Sequence, residues 1–278
     1  MVLDHITVHG KTYEIHDRVG YDWKTYVKLK VENKYESGFI WRRLDDLKCN
    51  KFKDPLKLNV DGTYYGLGNM TVKLKVIMED GTIDRLNLKS KYSKIINRSL
   101  KTKYTSNSNR KFYKNVAIDE EWLSYQKFAK WVASDKSNFR LGYQIDKDIL
   151  GNGYIYGPDS CVYIPPYLNK YLASFEREKR TKYLSIYKAT LTFESDTESN
   201  KYKHAALRLL SLAYYKADMI PKRIYDVIIR KYIDMSLSYN MDTYYKISEI
   251  IDRHVKEEAK IYKKVNRIET MKRITFRD

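Results

Sequence analysis

Asp119-Glu120-Glu121-Trp122-Leu123-Ser124-Tyr125-Gln126-Lys127-Phe128-Ala129-Lys130-Trp131, read together with Tyr143-Gln144-Ile145-Asp146-Lys147-Asp148-Ile149-Leu150, is the stretch on which the fold turns. Asp119 offers a side-chain cap, and Glu120 and Glu121 follow in the first turn, where acids favour a helix start. Trp122, Tyr125, Phe128, Ala129 and Val132 then form one apolar stripe at helical spacing. Periodicity is lost across residues 140–169, which hold Gly142, Gly151, Gly153, Gly157, Pro158, Pro165 and Pro166. Irregular segments of this length carry function or are disordered. The aromatics in this one predict order.

Upstream, Tyr92, Ile95, Ile96 and Leu100 share a helical face, with Lys94, Arg98 and Lys101 elsewhere on the same helix. Thr105 to Lys111 is polar and basic and reads as a loop. Residues 1–88 read as strands. Thr12-Tyr13-Glu14-Ile15 and Tyr26-Val27-Lys28-Leu29-Lys30-Val31-Glu32 alternate apolar with polar, and Ser37-Gly38 supplies a turn before Phe39-Ile40-Trp41. Thr71 to Met78 and Thr82 to Leu86 flank Asp80-Gly81, a strong hairpin signal. Short strands at this spacing suggest a small barrel or sandwich. Downstream of 176 the pattern is helical, with helices expected near 201–217, 221–236 and 242–264 after an acidic linker at 194–200. Pro221 suits a first helical position, and Ile247, Ile250, Ile251, His254 and Val255 make the stripe of the last helix. The expected fold is α+β in three parts: a strand-rich unit at 1–88, a middle domain at 89–175 and a helical region at 176–278.

The chain has 278 residues, with 53 Lys and Arg against 35 Asp and Glu, a formal net charge of +18. That excess is spread along the sequence and favours polyanions through counterion release, whatever their base sequence. Membrane surfaces and ribosomes would attract it as well, so charge alone does not choose the partner. The 27 tyrosines are read first as core and boundary residues, though tyrosine also stacks on unpaired bases. Cys49 and Cys161 lie far apart without CxxC spacing, which argues against a zinc knuckle or a disulfide framework. No apolar run reaches the ~20 residues of a bilayer span. The N-terminal Met1-Val2-Leu3-Asp4-His5 lacks the pattern of a secretory leader, so a cytoplasmic protein with no membrane partner is expected.

The 119–131 and 143–150 segments are followed by Gly151-Asn152-Gly153, Tyr156-Gly157-Pro158-Asp159-Ser160-Cys161 and Pro165-Pro166-Tyr167-Leu168-Asn169. In order and spacing, residues 92–169 resemble a group of phage HNH-endonuclease-like proteins. That group reads roughly EEW-x-x-F-x-x-F-x-x-W, then glycine-tyrosine before LDKDI, then GN-x-x-YSPE-x-C and a proline before a final asparagine. A weaker resemblance covers the first part of the chain: Lys51-Phe52-Lys53-Asp54-Pro55 and Tyr64-Tyr65-Gly66-Leu67-Gly68 are similar to segments of an SH3-like strand unit that precedes the nuclease-like part in such proteins. The resemblance implies a small N-terminal SH3-like β-barrel, an HNH-like middle domain and residence in the cytoplasm of a bacterial host.

The departures bear on chemistry. Tyr92 stands where the family usually has tryptophan, and Arg98-Ser99-Leu100 where it carries an Arg-Cys-Tyr cluster. None of His5, His9, His16, His204 and His254 falls in the segment, whereas an HNH site uses a histidine base beside a divalent metal. The resemblance puts Asp146 in the place of a base or metal ligand, Asp148 in that of a metal carboxylate, and Asn152 or Asn169 in that of an orienting group. Mg²⁺ or another divalent ion would be the cofactor. Two apart on a strand, Asp146 and Asp148 would share one face. In the plainer reading Asp146 caps a turn, Asp148 pairs with Lys147 or Arg140, Cys161 is a small buried residue, and Tyr156 and Pro158 lock the loop.

The cationic candidates are Arg98, Lys101, Lys103, Arg110, Lys111 and Lys114, interleaved with Tyr104 and Phe112. That mixture suits a phosphate backbone with stacked or grooved bases. A second set, Trp41-Arg42-Arg43 with Lys48, Lys51 and Lys53, lies in the strand unit. Double-stranded DNA is the expected partner, with cleavage where the aspartates hold a metal. Two competing readings are a catalytically inactive phage protein that binds and inhibits or recruits a host protein or nucleoprotein complex, and a structural nucleoprotein component. All DNA-binding readings expect a continuous positive face around residues 92–169.

Overall fold

The computed structural model describes residues 4–21, 23–67, 74–79, 81, 83–86, 88–100, 115–175, 182–262 and 265–270. β1 (Asp4–Val8), β2 (Lys11–Tyr21), β3 (Lys24–Glu32) and β4 (Ser37–Arg43) form an antiparallel sheet in that order. His9 and Gly10 both have positive φ in the two-residue β1–β2 turn, as a primed turn needs. Alternation sets the faces: Val8, Tyr13, Ile15, Val27, Leu29, Val31 and Ile40 are buried. Leu47 of α1 (Leu44–Lys48), Phe52, Leu56 and Tyr64 close over them from one side. Lys11 Nζ and the Tyr13 hydroxyl both donate to Asp54 Oδ2, at 2.8 and 3.0 Å, which pins the Lys53-Asp54-Pro55 segment to β2. The sheet is open, and no closed barrel is formed among the described residues.

The hairpin expected to complete this unit does something else. β5 (Leu74–Met78) and β6 (Ile83–Leu86) pair with each other and with β13 (Val265–Thr270), giving a separate three-stranded sheet in the order β13-β5-β6. Alternation identifies a strand but not its partner, so the pairing of the 70s with the far end of the chain was not expected.

α2 (Leu88–Ser99) buries Leu88, Tyr92, Ile95 and Ile96, as its spacing predicts. After β7 (Ala117–Ile118), the capped helix arrives in two steps. Asp119 Oδ1 accepts from the Glu121 N–H at 2.8 Å and caps only a 3₁₀ turn, Glu120–Leu123. Ser124 then caps α3 (Tyr125–Val132) through the Lys127 N–H. β8 (Gln144–Asp146), β9 (Ile155–Tyr156), β10 (Val162–Ile164) and α4 (Pro166–Phe175) follow. β7 pairs parallel with β9, and β8 antiparallel with β10. Trp122, Phe128, Trp131 and Tyr163 pack ring against ring, the closest centroids 4.7 Å apart. Trp131 Nε1 donates to the Pro158 carbonyl at 2.9 Å, which holds the glycine- and proline-rich loop.

The third part is not purely helical. Leu184 and Ile186 are buried in a hairpin of β11 (Tyr183–Ile186) and β12 (Ala189–Thr192), a four-residue alternation too short to stand out beside long helices. The expected linker at 194–200 is instead the start of α5 (Asp196–Lys216): Ser195 Oγ accepts from the Glu198 N–H, and Glu198 Oε2 from the Glu194 N–H. α6 (Lys222–Tyr232) starts one residue past Pro221, which sits at the cap instead. α7 (Met241–Ile261) buries Ile247, Ile251, His254 and Val255. A single apolar core runs from Met78 to Val255 and joins the middle region to these helices. No helix among the described residues is long and apolar enough to cross a membrane.

Candidate functional site

A cleft of about 580 Å³ opens between one side of α2 and the strand β8 with the turn that follows it, a size typical of small-molecule and substrate sites. The apolar stripe of α2 turns Tyr92 and Ile96 into the core. The line beside it, Lys91, Lys94 and Arg98 at i, i+3 and i+7, is thereby turned along the cleft. Lys91 is half-buried against the rings of Phe139 and Tyr163, 5.7 and 5.8 Å from their centroids. Burial first, and the charge of Lys94 second, hold its ammonium below the usual lysine range. Arg98 Nη1 donates to the Tyr156 hydroxyl at 3.4 Å.

Opposite this wall lie Asp146, Lys147 and Asp148. β8 ends at Asp146, so the two aspartates do not share a strand face as expected. Asp146 is 4% exposed. Its Oδ1 accepts from the backbone N–H groups of Asp148 and Ile149, at 2.9 and 2.8 Å, and so ties the turn. Burial pushes its carboxyl up to about 6, against the opposing pull of the two N–H groups. Asp148 Oδ1 receives Lys147 Nζ at 2.7 Å, one of the two pairings expected from sequence, while Arg140 faces Asp218. Gly153 follows with φ +82, and a Cβ there would stand 2.8 Å from Asp148 Oδ1, so the loop shape requires glycine. From behind, Lys231 of α6 donates to the Gly151 carbonyl at 3.1 Å.

The other sequence candidates divide. Asn169 lines the cleft and donates from Nδ2 to Gln144 Oε1 at 3.0 Å. Asn152 does not; it is exposed, and its Oδ1 accepts from the Tyr154 N–H in a local turn. Cys161 is fully buried, its thiol pushed up to about 12 by desolvation. Arg42 and Arg43 occupy opposite faces of β4. Arg42 packs its guanidinium 5.7 Å from the Phe52 ring on the core side, while Arg43 lies over Trp23 on the outer side. Lys101, Lys103, Arg110, Lys111 and Lys114, with Tyr104 and Phe112, lie outside the described residues. Lys91 was not singled out from sequence, and Lys147 only as a partner for Asp148, although the 91-94-98 spacing lies beside the apolar stripe.

The donor set suits an anion better than a divalent cation. Four cationic side chains line the cleft against two carboxylates, one of which already carries an ammonium. No imidazole lines it, and no group of three or more His, Cys, Asp and Glu side chains that could hold a metal is formed among the described residues. Hard divalent ions ask for more oxygen ligands than Asp146 and Asp148 offer here, and neighbouring ammoniums oppose them. No protein-family model, curated protein or solved structure matches this chain.

Proposed function

We propose that this chain is a DNA-binding protein, related to phage HNH endonucleases, that grips phosphates in the cleft beside α2. In that reading the strand unit is an SH3-like module, the middle an HNH-like domain whose hydrolytic machinery has decayed, and the setting the cytoplasm of a bacterial host. The observation that carries it is the row Lys91, Lys94 and Arg98 along one side of an open, net cationic cleft. Such a row neutralises a polyphosphate backbone, and affinity then falls steeply with salt as counterions are retained by the free DNA. The matching test is a gel-shift series on duplex DNA over increasing salt. A steep loss of binding supports the reading; a host-protein partner with no affinity for DNA at low salt replaces it.

Phosphodiester hydrolysis is the second reading, and Asp146 favours it. A carboxyl near neutrality in a cleft is matched to proton transfer. Incubating supercoiled plasmid with Mg²⁺ or Mn²⁺ separates the two. Intact plasmid under both ions supports a binder, and nicking abolished by Asp146→Asn or Asp148→Asn would restore a metal-dependent enzyme.

A further inference from the structure

The outer face of the β1–β4 sheet carries aromatic rings that, among the described residues, are shielded only by side chains of the same sheet and its turns, Arg43 over Trp23 and His16 edge-on to Phe39 among them. Val27, Leu29 and Val31 of β3 and Ile40 of β4 point into the core. Lys28 and Lys30 therefore point out, opposite their cross-strand partners Trp41 and Phe39. Phe39 is 50% exposed, and Trp23, at the tip of the β2–β3 hairpin, 73% exposed. Isolated exposed apolar side chains are ordinary; Trp23 and Phe39 exposed beside a partly buried Trp41 make a continuous aromatic face. Ammonium groups lie against these rings: Lys24 Nζ is 4.6 Å from the Trp23 centroid, and Lys28 Nζ is 5.3 Å from Phe39 and 5.9 Å from Trp41. Other charges of the face are already paired, Arg43 with Asp45 and Lys30 with Glu32, and the His16 ring lies 3.2 Å from Glu14. Asp17 is the cross-strand neighbour of Lys28.

We infer that this face is a stacking platform for single-stranded nucleic acid, with unpaired bases on Trp23, Phe39 and Trp41 and phosphates at Lys24 and Lys28. The chemistry is complementary. A base takes the ring face that an ammonium now shields, and the displaced ammonium meets the phosphate of the same nucleotide. Four-stranded antiparallel sheets with outward aromatics hold unpaired bases in this way. The inference rests on the reading of the chain as a nucleic-acid-binding protein but not on the cleft. Because most charges here are paired, binding should depend on bases more than on salt, the reverse of the cleft.

The test uses the full chain, single-stranded oligothymidylate, a mixed-sequence duplex, and heparin as a polyanion without bases. Trp122 and Trp131 are buried, so quenching of tryptophan fluorescence reports on Trp23 and Trp41. Oligothymidylate should quench it and heparin should not. Trp23→Ala with Phe39→Ala should weaken oligothymidylate by about tenfold or more while duplex affinity holds, since each base–aromatic stack carries that order of effect. Unchanged oligothymidylate affinity in the double variant overturns the platform, and so does equal competition by heparin or polyglutamate, which would mark a general surface for acidic partners. Quenching by oligothymidylate with no duplex binding keeps the platform and removes the cleft reading; duplex binding without quenching does the opposite.

Discussion

The cleft beside α2 and the outer face of the N-terminal sheet are both cationic, yet they are built on opposite principles. In the cleft, cations line a concave space with a carboxylate buried in its far wall. On the sheet, aromatic rings stand in solvent with ammoniums resting on them, and the acids are spent on local pairs. Reduced solvation strengthens the charges of Lys91 and Asp146 in the first, so salt, pH and charge-removing substitutions should govern it. The second depends on ring area, which salt screens little. The same net charge of +18 thus describes two surfaces with different physical handles.

The largest effect should come from the buried carboxylate. Asp146→Ala leaves one buried and one half-buried N–H group without an acceptor and should cost roughly 2–4 kcal/mol in urea unfolding. Asp146→Asn keeps an acceptor oxygen and should cost far less. An equally mild Asp146→Ala would mean that the turn is held by something other than this cap, and the wall of the cleft would lose its rationale.

Next in size is the cation row. Lys94→Ala with Arg98→Ala should lower duplex affinity by at least tenfold at low salt and make the salt slope shallower by about 2, one for each phosphate contact removed. A slope unchanged in this pair but altered by Lys24→Ala with Lys28→Ala would exchange the roles of the two surfaces.

Titration of Asp146 gives a smaller signal with a defined sign. Its folded carboxyl stands near 6 against an ordinary 3.8, so the folded state binds more protons between those values. Stability conferred by the neutral form is therefore present below about pH 4 and lost as pH rises towards 6. Protonation also removes a negative charge from the cleft. Duplex affinity should rise severalfold between pH 7 and pH 5 beyond the change seen in Asp146→Asn, while oligothymidylate affinity on the sheet should gain nothing from this group. Parallel pH profiles for wild type and Asp146→Asn would detach Asp146 from the cleft's electrostatics.

How much of this was legible beforehand differs between the two regions in the same way. The stripe Tyr92, Ile95 and Ile96 located α2 and its buried side because helical spacing is a local property. The turn-capping role of Asp146 and the Asp148–Lys147 pair were readable as the plainer alternatives. Asn152 was drawn towards the site by its place in a motif, but an asparagine beside two glycines satisfies its own turn first. On the sheet, alternation placed Val27 and Leu29 inside, yet it equally placed Arg42 and Arg43 on opposite faces, which grouping them as one basic patch ignored. The β5–β13 pairing and the approach of α2 to β8 are long-range events, and no local pattern in the chain encodes them.

The smallest expected effect is the one that keeps the comparison clean. Trp23 buries little and Phe39 about half of its surface, so Trp23→Ala should shift unfolding by less than about 0.5 kcal/mol and Phe39→Ala by about 1 kcal/mol. The ammoniums on their rings contribute only modestly at exposed positions, and the core side of the sheet, Val27 to Val31 and Ile40, is untouched. A thermal or urea transition within that range means that any loss of single-strand binding belongs to the rings. A shift of several kcal/mol would instead make these aromatics part of the fold, covering surface that looks open, and the face would then be a packed structural element with no vacancy for a base.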